Sequence, residues 1–118
     1  MVLGELAPAL RKVSSDPAVL GLIELLEEWP ENSSTAEDLR QSVERYIGNT
    51  WIASTREHET VYSLWSAFRD HCIVGRSGMS MKERLYCFSL LEAWDRASNE
   101  QVRVLLQQKV DFTSPSSS

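Results

Sequence analysis

Apolar residues recur at intervals of three and four positions along most of this 118-residue chain. This spacing is typical of amphipathic helices, which bury one face and expose the other. In the segment PAVLGLIELLEEWP it places Val19, Leu22, Ile23 and Leu26 on a single face. Helix signals of this kind recur and strand signals do not, so the pattern predicts an all-α fold.

Capping residues indicate where the helices begin. Asp16 followed by Pro17 is typical of a helix start, because the aspartate accepts hydrogen bonds from free backbone N–H groups and proline is tolerated in the first turn. A serine three residues before a glutamate or glutamine predicts a capping box, in which each side chain accepts a hydrogen bond from the other residue's backbone. Four pairs have this spacing: Ser34 with Glu37, Ser54 with Glu57, Ser80 with Glu83, and Ser98 with Gln101.

These signals predict a compact bundle of about five helices, with a weaker additional helix from Pro8 to Val13. The segment GMSMKERLYCFSLLEAWDRA, residues 78–97, is interpreted as a glycine turn, a serine cap and one continuous central helix that ends near Ala97. The length fits a single domain, which we expect to span residues 1–112. A disordered Ser-rich tail is expected over residues 113–118.

The cysteines and the N-terminus bear on the compartment. Cys72 and Cys87 both lie within helical patterns. The N-terminus lacks the positively charged start of an export signal, because Glu5 precedes Arg11 and Lys12. No apolar run approaches the ~18 residues of a membrane span. We therefore expect a cytoplasmic protein with reduced cysteines and no membrane partner.

The net charge of −5 is unevenly distributed. Residues 1–59 hold eleven acidic and five basic residues, which gives −6, whereas residues 60–118 carry +1. Phosphate backbones repel an acidic surface, so nucleic acid is not expected as a partner. A basic protein is the partner that the charge favours.

Four glutamates lie at positions i, i+3, i+4 and i+7 of the second predicted helix, and we call Glu24, Glu27, Glu28 and Glu31 the acidic stripe. The placement is unfavourable, because like charges at i,i+4 cost about 0.2–0.5 kcal/mol per pair and acids near a helix C-terminus face the negative end of its dipole. No lysine or arginine lies between Asp16 and Arg40. The stripe is therefore either a solvated face, balanced by arginines of other helices, or a docking surface for a cationic partner.

The predicted partner-binding residues extend beyond the stripe. Tryptophan is favoured at interfaces because it offers a large contact area at low entropic cost. For Trp29, at a helix end beside Pro30, partial exposure and core packing are equally open, and its place in the binding set depends on partial exposure. Trp65 and Trp94 are expected in the core. The complete predicted set is Glu24, Glu27, Glu28, Trp29, Glu31, Glu37 and Asp38.

Soft ligand residues are few, and no metal site or cofactor is predicted from their spacing. His58, His71, Cys72 and Cys87 lack Cys-x-x-Cys or His-x-x-x-His spacing. On an α-helix His71 and Cys72 diverge by about 100°. Both cysteines are interpreted as core residues.

Two other hypotheses stay open. One is a small helical enzyme or ligand-binding bundle with a buried pocket near Cys87, His71, Arg84 and Asp95, in which Cys87 and His71 form a nucleophile pair across two packed helices. The other is a structural homodimer that pairs through the apolar surface of residues 61–97. The oligomeric state, monomer or homodimer, is left open.

Residues 78–97, about a sixth of the chain, also resemble a segment of small uncharacterised bacterial helical proteins, some of them encoded beside toxins as immunity-type proteins. This resemblance implies a non-enzymatic role in binding a partner. The leading hypothesis is therefore an immunity-type inhibitor that docks an acidic face on a basic toxin. The residues that carry the resemblance are Gly78, Met79, Ser80, Glu83, Arg84, Leu85, Leu90, Leu91, Trp94 and Asp95.

Overall fold

The computed structural model describes residues 2–32, 34–50, 52 and 54–110. Over those residues the chain forms seven α-helices and no strand, so the predicted all-α fold is confirmed and the predicted number of about five helices is too low. The predicted tail, residues 113–118, lies outside the described residues. The helices are α1 (Leu3–Val13), α2 (Pro17–Glu28), α3 (Ala36–Asn49), α4 (Thr55–Phe68), α5 (Met81–Cys87), α6 (Leu91–Arg96) and α7 (Glu100–Lys109).

Shorter helical turns join some of these helices. A 3₁₀ turn, Trp29–Glu31, follows α2. A π-helical turn, Arg69–Ile73, continues α4 and leads into a 3₁₀ turn, Val74–Gly78. The π-helical turn and the 3₁₀ turn together form an irregular connection between α4 and α5.

Three of the predicted caps are confirmed. The side chains of Asp16, Ser54 and Ser80 accept hydrogen bonds from the first-turn backbone of α2, α4 and α5. Two other caps lie one residue later than predicted. Thr35, not Ser34, caps α3, because its hydroxyl and the Asp38 carboxylate each accept a hydrogen bond from the other residue's backbone N–H. Asn99, not Ser98, caps α7.

The N-terminal helix is longer and more central than predicted. It begins at Leu3 rather than Pro8, and the Glu5 side chain accepts a hydrogen bond from the backbone N–H of Val2. One face of α1 packs against α2 and α4. Its buried residues are Leu3, Leu6, Ala7 and Leu10.

The predicted continuous helix over residues 80–97 is wrong. It is broken at Ser89, whose φ of 58° lies in the left-handed region. The break lets Phe88 and Leu90 both enter the core, with 0% and 2% exposure, while Ser89 points outward and its hydroxyl accepts a hydrogen bond from the Gly4 backbone N–H (2.7 Å). Burial of two large side chains on either side of one residue outweighs the cost of that residue's backbone.

Aromatic side chains form the centre of the core. The ring of Phe68 meets that of Phe88 edge to face at 5.7 Å, and Phe88 packs on Trp29 at 5.2 Å. Trp65 extends the series, 5.8 Å from Phe68. Contacts at these distances join α4, the turn after α2 and the end of α5 in one cluster.

Lys109, at the end of α7, is a buried cation with 6% exposure. Its Nζ donates hydrogen bonds to the backbone carbonyl oxygens of Asn32 (2.7 Å) and Ser34 (2.8 Å) and to Asn32 Oδ1 (3.1 Å). The same ammonium lies 4.0 Å from the centre of the Trp29 ring. Burial lowers the pKa of Lys109 to about 8.

This pKa predicts a pH dependence of stability. Between about pH 8 and the ordinary lysine value of 10.5, the folded protein has lost the Lys109 proton while the unfolded chain keeps it. Stability therefore rises with pH in this window, by up to about 1.4 kcal/mol per pH unit. We expect the unfolding free energy of the wild type to gain on that of Lys109→Met over the window, measured by urea denaturation at each pH. Parallel pH profiles would contradict the shift.

Candidate functional site

The acidic stripe lies on the exposed side of α2 and its 3₁₀ turn. Its four glutamates are all exposed. Together with Asn32 they line a shallow, open concavity on the surface. The prediction that Glu24, Glu27, Glu28 and Glu31 share one face is therefore confirmed in geometry.

The charge of the stripe is only partly balanced. Arg11 of α1 donates a hydrogen bond to the Glu27 carboxylate at 2.8 Å, as expected if arginines of other helices compensated the stripe. Both side chains are about half exposed (50% and 47%), so the pair contributes little to stability. Within the described part of the chain, the carboxylates of Glu24, Glu28 and Glu31 make no salt bridge.

Two predicted members of the binding set have other partners. Arg40 and Arg76 both form salt bridges with Glu37, and the hydrogen bond from Arg40 holds the pKa of that carboxyl below its ordinary value. Asp38 caps the N-terminus of α3. Neither residue lines the concavity of the stripe.

Of the two alternatives for Trp29, core packing is confirmed and partial exposure is wrong. Its side chain is 1% exposed, and its Nε1–H donates a hydrogen bond to the backbone oxygen of Thr35 at 3.0 Å. Phe88 and the Lys109 ammonium pack on the ring. Trp29 therefore belongs to the core beneath the stripe and cannot contact a docked partner. Trp65 is buried as predicted, and Trp94 packs partly buried against the core.

The pocket of the second hypothesis is only partly formed. A surface pocket of about 320 Å³ is lined by His71, Cys87 and Met79, among others. Arg84 instead donates a hydrogen bond to the Val110 carbonyl (3.2 Å), and Asp95 lies exposed on α6. Neither lines this pocket.

The same region brings together three soft ligand residues whose spacing in the sequence predicted no metal site. Single ligand atoms of His71, Cys72 and Cys87 all lie within 4.8 Å of one another. His71 is exposed, whereas the two cysteines are buried. The absence of a metal site was predicted from α-helical geometry, but His71 and Cys72 lie in the π-helical turn. A π-helix has more residues per turn, so neighbouring side chains diverge less than on an α-helix.

The environment of Cys72 does not favour a nucleophile. Its side chain is fully buried, and burial, followed by the neighbouring Cys87 thiol, raises its pKa above the ordinary value. The thiolate is the nucleophilic form, so this environment disfavours nucleophilic attack by Cys72 in the absence of a metal ion. The Cys87 thiol donates to the Met79 thioether at 4.0 Å.

The apolar surface proposed for a homodimer is largely internal. Val61, Trp65 and Phe68 are each at most 1% exposed. Of the larger apolar side chains in residues 61–97, Tyr62, Val74 and Tyr86 remain exposed, and α7 exposes Leu105.

No α-helix of the described residues is both long and apolar enough to span a membrane.

The comparisons with known proteins supply no relative from which a role could be transferred. No protein-family model matches the chain, and no curated protein or solved structure matches it significantly.

Proposed function

We propose that the chain is a non-enzymatic protein-binding module that docks its acidic stripe on a basic protein, in the manner of an immunity-type inhibitor that covers a toxin's cationic site. The observation that supports this most directly is the shared concavity of Glu24, Glu27, Glu28 and Glu31. An open, concave, acidic surface fits a protruding cationic segment. Complementary charge of this kind raises the association rate and excludes acidic competitors.

The local energetics support a binding role as well. Glu24 and Glu28, and likewise Glu27 and Glu31, are spaced i,i+4 and repel each other. All four lie in the last turns of α2 or beyond, where the helix dipole disfavours negative charge. A cationic partner would relieve both terms on docking, so part of the binding energy comes from removing strain already present in the free protein.

The proposal uses a smaller set of residues than the sequence predicted. Trp29, Glu37 and Asp38 are excluded, because they are engaged in the core, in salt bridges and in a helix cap. We further propose a cytoplasmic location, because Cys72 and Cys87 lie buried without a disulfide bond.

Charge reversal tests the proposal. We expect Glu24→Lys/Glu28→Lys to weaken binding of the partner captured from the native host and to flatten the salt dependence of binding. The matched control is Glu59→Lys/Asp95→Lys, which makes the same change in net charge at two exposed positions away from the stripe. The stripe variant should also have an unfolding free energy about 0.5–1 kcal/mol higher than the wild type, because positive charge suits the C-terminal end of α2 and the two new lysines face Glu27 and Glu31 at i,i+3, which outweighs their own mutual repulsion.

The outcomes separate specific docking from general attraction. Equal weakening in both double variants would show that only net charge matters, and unchanged affinity in the stripe variant would sink the proposal. The urea measurement ensures that lost binding is not lost folding.

A second candidate function, a small ligand-binding bundle, is favoured by the pocket that holds His71 and Cys87. This pocket differs from the concavity of the stripe in the chemistry of its lining. Binding of Zn²⁺ by His71 and Cys87 would support this candidate, and a chain that binds no metal or small ligand in this pocket would exclude it.

A further inference from the structure

The soft ligand cluster is built by three separate features of the fold. The π-helical turn after α4 presents His71 and Cys72, and Cys87 is the last residue of α5. Fifteen positions separate the two cysteines in the sequence, and the irregular connection between α4 and α5 folds them together. π-Helical turns inside α-helices are rare and are often found at functional sites.

The distances are close to those of a tetrahedral metal site. Zn²⁺ binds thiolate sulfur at about 2.3 Å and imidazole nitrogen at about 2.0–2.1 Å, which places tetrahedral ligands roughly 3.5–3.8 Å apart. The ligand atoms of His71, Cys72 and Cys87 lie within 4.8 Å of one another, so closure needs movements of no more than about 1 Å. The His71 ring is exposed, and its side chain can rotate to supply that movement.

The charge balance selects the metal. Two thiolates carry a charge of −2, which a divalent cation neutralises, and an uncompensated charge in a buried cluster would be costly. Cys72 and Cys87 are 0% and 4% exposed, so water cannot stabilise the two negative charges and the metal ion must neutralise them. Thiolate and imidazole ligands together suit Zn²⁺ rather than Mg²⁺ or Ca²⁺, which bind oxygen.

We propose that His71, Cys72 and Cys87 bind one Zn²⁺ ion, with the fourth coordination position open to the adjoining pocket. Binding forms two Zn–S bonds and one Zn–N bond, and each thiol releases one proton to solvent. Three protein ligands with one open position are the arrangement of exchangeable or catalytic zinc, whereas structural sites are closed by four. The ion would join the π-helical turn to α5 and so hold together the irregular connection between them.

The test is titration of the purified chain with Zn²⁺ alone, in a phosphine reductant that keeps the thiols reduced. We expect one ion per chain, and with Co²⁺ as a spectroscopic probe an absorption band from thiolate-to-metal charge transfer. His71→Ala and Cys87→Ser should each weaken Zn²⁺ binding more than roughly a hundredfold. Loss of a residue that only hydrogen-bonds to a metal ligand costs about tenfold to a hundredfold, and these two residues are ligands themselves. His58→Ala is the matched control, because it removes the other histidine and should leave the affinity unchanged.

The variants keep the proposal falsifiable even if one of them does not fold. Cys72→Ser is left out, because it places a hydroxyl at a completely buried position and so destabilises the fold. Far-UV circular dichroism verifies the fold of the His71 and Cys87 variants. Undiminished Zn²⁺ binding in both the His71 and the Cys87 variant would overturn the proposal. So would a Co²⁺–thiolate band that is kept in these two variants and lost in Glu24→Lys/Glu28→Lys. A Cys72–Cys87 disulfide that forms in air while the reduced chain ignores Zn²⁺ would also overturn it.

Discussion

Replacement of Trp29 by alanine is expected to lower the free energy of unfolding by about 3–5 kcal/mol. The substitution removes a side chain that is 1% exposed, packs on Phe88 and donates a hydrogen bond to Thr35. It also uncovers the Lys109 ammonium, which lies against the ring. A domain of this size has a total stability of about 5–15 kcal/mol, so the variant should be close to unfolding.

Urea denaturation followed by far-UV circular dichroism measures the loss. Trp29→Phe is the control, because it keeps an aromatic ring and removes the hydrogen bond to Thr35, at an expected cost of about 0.5–1.5 kcal/mol plus a packing term. A loss below about 1 kcal/mol in Trp29→Ala, well under the range for buried aromatics, would contradict a core role. It would restore Trp29 as a candidate for partner contact.

The second large effect is expected in the N-terminal helix. Leu6 and Leu10 are both 0% exposed, on the face of α1 that packs against α2 and α4. Each leucine-to-alanine change at a buried site costs about 2–5 kcal/mol. The double variant Leu6→Ala/Leu10→Ala should therefore be largely unfolded at room temperature and show no cooperative melting transition.

An exposed residue on the same helix provides the comparison. Lys12→Ala should change stability by no more than about 0.5 kcal/mol. If the double leucine variant melted within a few degrees of the wild type, the packing of α1 would contribute little to stability. Calorimetry of the three proteins distinguishes these cases.

The elements predicted most successfully were those governed by local chemistry. Asp16, Ser54 and Ser80 cap their helices because the capping interaction spans only three residues. The buried face of α2 followed from apolar spacing alone, and all four apolar residues predicted on it lie in the core: Val19, Leu22, Ile23 and Leu26. The shared face of the four glutamates depended only on the α-helical repeat.

The errors arose where distant contacts decide the outcome. Trp29 stands beside a proline at a helix end, and nothing nearby in the sequence indicates that Phe88 will cover it. Ser89 lies within an uninterrupted helical pattern, yet burial of its two neighbours breaks the helix there. These are tertiary effects that override local propensity.

The candidate metal cluster was missed for a geometric reason. The prediction placed His71 and Cys72 on an α-helix, where their side chains diverge, whereas the chain adopts a π-helical turn. The nearby glycines, Gly75 and Gly78, indicated a break but not one that begins before Cys72. Periodicity therefore placed both cysteines correctly in the interior without showing that they meet.

The three hydrogen bonds of Lys109 have a consequence for local opening. They tie the end of α7 to Asn32 and Ser34, some seventy-five residues earlier, and Asn32 also lines the acidic concavity. Fraying of the terminal helix would uncover the Trp29 ring and release one edge of that concavity at the same time. The C-terminal helix, the aromatic core and the acidic surface thus belong to one cooperative unit, and slow amide exchange in α7 would report on the integrity of a surface at the other end of the sequence.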